Sequence, residues 1–445
     1  MALQQAADIL NGTLQGTDAR FSSVSTDTRR LKKGDLYIAL QGENFDGHDF
    51  IDQAAAGGAV GAIVHRDVVT DLSCIKVEDT RLALGQLAAA WRLEFDGKVV
   101  AVTGSNGKTT VKEMLAAILA EQGKVLATEG NYNNDIGLPL TLLRMQNEDY
   151  AVIEMGANHA GEIAYLSAIT KPDVAIITNA GNAHLQGFGS IKGVAAAKGE
   201  IYQGLSENGL AIFNRDDDYS DYWQSLCKER KILSFSMRDK SATVYGEWQQ
   251  RQTGIELSVV AGKEKFVIQM KVFGVHNAMN ALAAICAARA LNINSKKIVD
   301  GLAAFSPVKG RLNIHSVAEN LCVIDDTYNA NPASLSAAMD VLAEMPGEHW
   351  LVLGDMGELG EDDIRLHFDA GVRARESGVS RLLALGQSSR HAVEAFGEGG
   401  IFFNNRDELV EYIKENQSEA LGILIKGSRF MHMEQIVESL TEGDG

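Results

Sequence analysis

Residues 98–123 read KVVAVTGSNGKTTVKEMLAAILAEQG. A short apolar run ends in a glycine-bearing bend, and the bend opens directly into a helical pattern. Strand, bend and helix in that order form the setting in which backbone amides can gather around phosphate oxygens. Gly104 and Gly107 allow the tight turn, and the helix N-terminus adds roughly half a positive charge. Lys108 has the reach for β- and γ-phosphates, and the Thr109 hydroxyl can ligate Mg2+. Gly104, Ser105, Asn106, Gly107, Lys108, Thr109 and Thr110 are therefore the expected ATP-binding loop. Only two residues separate its glycines, where the commoner loop has four, and Val102 stands where that loop has its first glycine. The Gly-Lys-Thr at the strand–helix junction is kept.

Outward from this loop the chain alternates strands and helices. Apolar runs at 150–155 and 174–178 are separated by helical patterns, which predicts βαβ units and a mostly parallel sheet. Between about 243 and 272 three alternating runs (TVYGEW, GIELSVV, KFVIQMKV) predict an antiparallel edge, followed by helices over 277–291 and 295–305. After the breaker SPVKG, strands at 322–325, 350–354, 381–386 and 423–426 enclose helical runs such as 333–345 and 407–416, a second doubly wound unit. Before residue 82 short strand signals at 35–40 and 62–65 flank a polar loop, QGENFDGHDF. The expected fold is α/β in three domains. Residues 1–82 form a small mixed α/β domain, 83–310 a central P-loop ATPase-type sheet, and 311–445 a C-terminal Rossmann-like domain.

A chain of 445 residues accommodates two to four domains. Its 45% apolar and 22% charged residues suit a buried core and exclude a disordered or fibrous protein. With 41 Lys+Arg against 59 Asp+Glu, the net charge is −18, which argues against nucleic acid or an anionic membrane as partner. Anionic substrates must then be met by local cations or metals. Cys74, Cys227, Cys286 and Cys322 are scattered and form no metal-like cluster, as in a reduced intracellular protein. There is no secretory leader pattern and no run of about 18 apolar residues, so a soluble, cytoplasmic protein is expected.

Glu154 ends the strand AVIEM, where an acid can hold Mg2+. Asn131, Asn133, Asn134 and Asp135 form a polar loop of the kind that lines the crevice of a parallel sheet. TKPD at 170–173 matches a guanine-reading motif, but it ends a helical run and precedes a strand, so it reads as a helix stop. His184, in the loop TNAGNAHLQGFGS, and Lys198, in the helix GVAAAKGEIYQGL, show no chemical role by themselves.

Ordered along nearly the whole chain stand STDTR (25–29), GDLYIALQGENFDGHDF (34–50), TGSNGKTT, NYNNDIGLPL, EMGAN (154–158), AHLQGFGS, HNAMNALAA (276–284), KGR (309–311), DDTYNANP (325–332), GDMGELG (354–360) and KGSRFMHME (426–434). This series resembles the Mur ligases of peptidoglycan synthesis. FDGHDF and DDTYNANP resemble the member that adds D-alanyl-D-alanine to UDP-N-acetylmuramoyl-tripeptide. The resemblance implies an ADP-forming amide ligase acting through an acyl phosphate, with these small molecules and ATP as its partners, and a monomer. It implies that Thr109 and Glu154 hold one Mg2+, and that His184 with a carbamylated Lys198 serves a second. Lys108, Glu154, His184, Lys198 and Arg311 would be the catalytic set. Asn277 would meet the adenine, Asp326 the ribose, and Arg311 the γ-phosphate. Thr26, Asp27, Asn44, Asp46, Gly47, His48 and Phe50 would hold the uridine diphosphate end of the substrate. Other readings are a different Mur ligase, a folylpolyglutamate synthase, or a nucleotide-dependent switch that performs no ligation.

Overall fold

The computed structural model describes residues 1–181, 185–227, 229–318, 321–417 and 420–441. Three sheets follow one another along the chain. The first has five strands in the order Thr13–Gln15, Cys74–Lys76, Gly61–Val64, Asp35–Ile38, Ser23–Ser25. All neighbours are parallel except the Thr13–Gln15 edge. Asp35–Ile38 and Gly61–Val64 are buried at every residue, as central strands covered on both faces must be.

The second sheet has nine strands. From Val125–Ala127 it runs through Tyr150–Glu154, Lys98–Thr103, Val174–Ile177, Leu210–Asn214 and Lys231–Ser236 to Val244–Arg251, all parallel. Gly254–Ala261 and Glu264–Met270 then continue it as antiparallel hairpins. The alternating runs at 243–272 are thus the antiparallel edge that their period-2 pattern predicts. The helix Lys108–Ala120 packs on this sheet beside Val275–Ala290, whose residues from Ala281 to Ala288 are all buried.

The third sheet is ordered Asn313–Ala318, Leu321–Asp326, Leu421–Lys426, Glu348–Gly354, Arg381–Leu385, Gly400–Phe403, parallel except at the first strand. The edge strands Asn313–Ala318 and Gly400–Phe403 lack the continuous apolar run that marked the central four. The helix Pro332–Ala343 starts where it does because Asn331 and Ser334 form a capping box and Pro332 occupies its first turn.

The expected edge at residue 82 falls inside the helix Thr80–Leu93, which Asp79 caps through the amides of Arg81 and Leu82. This helix belongs to both units. Its Thr80 hydroxyl donates to Ala39 O at 2.9 Å, while Trp91 Nε1 donates to Met145 O at 2.8 Å and Arg92 Nε to Thr170 O at 2.9 Å. Leu36, Ile63, Leu84 and Leu87 share one continuous apolar cluster with Val99, Ile153 and Ile177. We place the first boundary after the helix, in the turn 94–97. The expected edge at 310 lies in the connection between Ala304 and Asn313. Among the described residues no helix is long and apolar enough to cross a membrane.

Candidate active site

The parallel strands of the central sheet end at one rim, and the glycine bend lies on it, directly after Thr103. Gly104 (φ 149°) and Gly107 (φ 80°) both need glycine. A Cβ on Gly104 would sit 1.9 Å from Thr178 Oγ1, and one on Gly107 2.2 Å from Asn280 Oδ1. The bend is pinned to the next strand end. Asn106 N donates to Asn179 Oδ1 at 2.9 Å, Ser105 N to Asn179 O at 3.0 Å, and Thr178 Oγ1 to Asn106 O at 2.6 Å. Thr178 and Asn179 carry no sequence signal of their own; their role appears only when the strand ends align.

Lys108 Nζ folds back to donate to Gly104 O at 2.7 Å and Ser105 O at 3.2 Å. Desolvation holds its pKa below the usual lysine range, opposed by Glu154 and reinforced by Arg311. Thr109 Oγ1 donates to Glu154 Oε2 at 2.8 Å, and Asn133 Nδ2 donates to Glu154 Oε1 at 2.8 Å. Glu154 N donates to Thr128 Oγ1 at 3.0 Å, fixing the strand end.

Arg311 arrives from the third unit. Its Nη2 donates to Thr109 Oγ1 at 2.9 Å and its guanidinium lies over the Tyr328 ring at 4.1 Å. Its Nε is buried and has no hydrogen-bond partner among the described residues. A second bridge joins Asn331 Nδ2 to Asn106 Oδ1 at 2.8 Å. Between the two units lies a cleft of about 950 Å³ lined by all of Ser105 to Thr110, by Glu154, Asn277, Arg311 and Asp326.

Asn277 is buried, its Nδ2 donating to Phe273 O at 2.9 Å. Next to it, the His276 ring nitrogens are buried and make no hydrogen bond among the described residues. Burial, outweighing the field of Asp326, pushes this imidazole down to about 4. Asp326 is already engaged: Leu312 N donates to its Oδ1 at 3.2 Å and the buried Lys426 ammonium donates to Oδ2. Lys426 also donates to Asn329 O at 2.9 Å.

Lys198 lies on the helix Ile191–Gly199 and is only 1% exposed. Its Nζ stands 5.4 Å from the Phe188 ring centre. Desolvation, joined by repulsion from Lys108 and opposed by Glu162 and Glu200, pushes its ammonium down to about 7. His184, expected to work with it, lies outside the described residues. Among the described residues no group of three or more His, Cys, Asp or Glu could hold a metal ion.

The seven residues expected to meet uridine diphosphate lie on the first unit, and none lines this cleft. Thr26 is half-buried, and Asp27 is clasped by Arg29, whose hydrogen bonds lower its pKa. Asn44 and Phe50 are exposed, and Gly47 packs beneath Leu40, whose carbonyl a Cβ would meet at 2.7 Å. His48 is buried with both nitrogens in use. Its Nε2 accepts from His65 N at 3.1 Å, which leaves the proton on Nδ1, facing Asp46 Oδ1 at 2.6 Å. Its ring thus holds the loop in shape. Asp46 also receives the His48 amide at 2.9 Å and Arg66 at 3.2 Å, and these hydrogen bonds override desolvation to pull its carboxyl down to about 2. From this unit Arg81 pairs with Asp135 and Arg30 Nη1 donates to Tyr132 Oη at 3.1 Å, tying it to the loop that carries Asn133.

The same three-sheet order recurs in known proteins. Residues 20–92 match the family model described as Mur ligase family, catalytic domain; 102–288 match the Mur ligase middle domain; and 310–429 match the Mur ligase, glutamate ligase domain. The UDP-N-acetylmuramoyl-tripeptide–D-alanyl-D-alanine ligase of Escherichia coli K12 is 46% identical, over 99% of this chain and 98% of that protein. A crystal structure of MurF from Acinetobacter baumannii superposes with a TM-score of 0.92 at 38% identity, covering 99% of this chain and 98% of that one. MurF ligase from Thermotoga maritima, solved in complex with ADP, gives a TM-score of 0.85 at 29% identity, covering 94% and 97%. Three domain models in the same order as the three sheets, and a relative aligned almost from end to end, show that the chain belongs to the Mur ligase family.

Proposed function

We propose that this peptide ligase joins D-alanyl-D-alanine to the terminal carboxylate of UDP-N-acetylmuramoyl-tripeptide with conversion of ATP to ADP and phosphate, in the cytoplasmic assembly of cell-wall precursors. The observation that carries the reading is the meeting of Arg311, from the third unit, with Thr109 on the phosphate loop. A cation placed across the cleft from a phosphate loop suits a reaction in which two anions must approach.

A carboxylate is a poor electrophile, so it first attacks the γ-phosphorus of ATP, giving an acyl phosphate and ADP. Two unit charges 4 Å apart repel by about 4 kcal/mol at an effective dielectric near 20. Lys108 and Arg311 oppose that repulsion and stabilise charge on the transferring phosphoryl group. Thr109 Oγ1 and Glu154 Oε2, hard oxygens 2.8 Å apart at the loop, fit a Mg2+ ion, which when bound adds positive charge beside the phosphates. The Lys198 amine, pushed down to about 7, is partly neutral at physiological pH. That is the form that adds CO2, so the residue fits a carbamate. The amine of the acceptor then attacks the acyl carbon and phosphate departs. The Arg311–Thr109 and Asn331–Asn106 bridges close the third unit over the loop, which keeps water from the acyl phosphate.

The test is ADP release with the muramoyl tripeptide, with and without D-alanyl-D-alanine, followed by the mass of the product. Full release with a single amino acid or a folate as acceptor, and none with D-alanyl-D-alanine, would overturn the assignment.

A further inference from the structure

In the stretch DDTYNANP (325–332), Asp326 anchors Leu312 and Lys426, and Asn331 bridges to the phosphate loop. The tyrosine between them has no task yet. We propose that Tyr328 is a positioning residue for Arg311: the face of its ring holds the guanidinium where it meets the transferring phosphoryl group. This rests on the ligase reading above.

Tyr328 is half-buried and lines the cleft. The Arg311 guanidinium stands 4.1 Å from the ring centre, well inside the roughly 6 Å over which a ring face attracts a cation. Such a contact uses the charge of the guanidinium and none of its N–H groups. A carboxylate in the same place would pair with the cation, occupy two of its donors and cancel its charge, at the point where a phosphate must have both. A ring holds the cation and leaves donors and charge in place. Consistent with that, Nη2 donates to Thr109 Oγ1 at 2.9 Å, while Nε has no hydrogen-bond partner among the described residues.

The two chain segments that carry the pair are fastened to each other. Tyr328 N donates to Gly310 O at 3.0 Å, Gly310 N to Asp325 Oδ2 at 3.1 Å, and Leu312 N to Asp326 Oδ1 at 3.2 Å. Asp325 Oδ1 receives Thr327 N at 3.2 Å and Thr327 Oγ1 at 2.6 Å. Arg311 thus leaves the chain between two residues that are bonded to the strand end bearing Tyr328. The approach is close: Gly310 lies at φ 76°, and a Cβ there would stand 3.1 Å from Tyr328 N. On the other side of Arg311, Leu312 takes a left-handed backbone at φ 53°, which is unfavourable for a leucine. Strain beside a cleft residue points to the direction of that residue being what the loop preserves.

Wild type, Tyr328→Phe, Tyr328→Leu and Tyr328→Phe bearing one, two or three ring fluorines are compared in ligation with ATP, UDP-N-acetylmuramoyl-tripeptide and D-alanyl-D-alanine, and in ADP titrations. Tyr328→Leu should lower kcat roughly 5–30-fold. The KM for ATP and the affinity for ADP should change little, since the guanidinium acts on charge that develops during transfer. Tyr328→Phe keeps the ring and should recover most of the rate. Each fluorine withdraws electron density from the ring face at nearly constant shape, so kcat should fall stepwise along the series, a dependence that a packing role would not produce. In the Arg311→Ala background, Tyr328→Leu should add almost no further loss.

A flat fluorine series overturns the proposal. So does Tyr328→Leu at the wild-type rate, Tyr328→Phe as slow as Tyr328→Leu, or losses that multiply in the double variant. Should thermal unfolding show that Tyr328→Leu does not fold, the fluorine series decides alone. If wild type makes no amide from D-alanyl-D-alanine, the ligase reading falls and this proposal with it. If wild type makes the amide and the series is flat, only the assignment of Tyr328 falls.

Discussion

Lys198→Met separates the buried amine from everything around it. Lys198 is 1% exposed, and burial has pushed its ammonium down to about 7, against an ordinary 10.5. Between those values the unfolded chain holds a proton that the folded chain has released. Stability of the wild type therefore rises with pH across this window and falls as pH drops toward 7. At 1.36 kcal/mol per pH unit, carrying the amine into the fold costs about 4 kcal/mol at pH 7 and only about 1 kcal/mol at pH 10. Methionine has similar length and no charge. Lys198→Met should thus be the more stable protein at pH 7, by up to about 4 kcal/mol, and the gap should close to about 1 kcal/mol at pH 10. Urea midpoints of the two proteins, measured side by side in CO2-free buffer, give the difference directly. A difference that does not change with pH would refute the reasoning. In the same variant ligation should be lost, and a single 13C carbamate signal from labelled bicarbonate, expected in wild type, should be absent.

Arg311→Ala should slow ligation roughly 10²–10³-fold. It should weaken ADP binding far less, as seen by comparing steady-state rates with an ADP titration. Lysine should not restore it, because the fork over Tyr328 is missing. Thr109→Val removes one oxygen of the Thr109–Glu154 pair and should raise the Mg2+ concentration for half-maximal rate by about tenfold or more; an unchanged Mg2+ dependence would count against that pair as the ion's seat. His276 has a folded pKa of about 4. Below pH 6.5 the unfolded chain takes up a proton that the folded chain refuses. About 3 kcal/mol of stability should therefore be lost between pH 6.5 and 4, and His276→Leu should lack that loss in urea titrations.

The phosphate loop is legible in the sequence because its physics is local: a buried strand, two glycines and a helix start within a dozen residues. So are the long sheet strands, whose apolar runs are continuous. The edge strands Asn313–Ala318 and Gly400–Phe403 are half-wet, and their pattern is too weak to stand out. Lys198 and His276 look ordinary in one dimension, since burial is what alters their chemistry. The resemblance supplied Lys198 a role that its own neighbours in sequence could not. His48 shows the opposite: a residue expected to meet ligand whose ring nitrogens are taken by Asp46 and by the His65 amide.

The apolar seam between the first sheet and the central one has a consequence for molecular measurement. With Leu84 and Leu87 packed in one cluster with Val99 and Ile153, the span from the first unit to the phosphate loop is a fixed ruler rather than a hinge. If the donor's nucleotide is held on the first unit, as the resemblance implies, its other end must span that distance to reach the loop. Each residue removed from its peptide arm shortens that reach by up to about 3.5 Å, and such a seat would let the enzyme gauge the length of its substrate without reading every side chain along it.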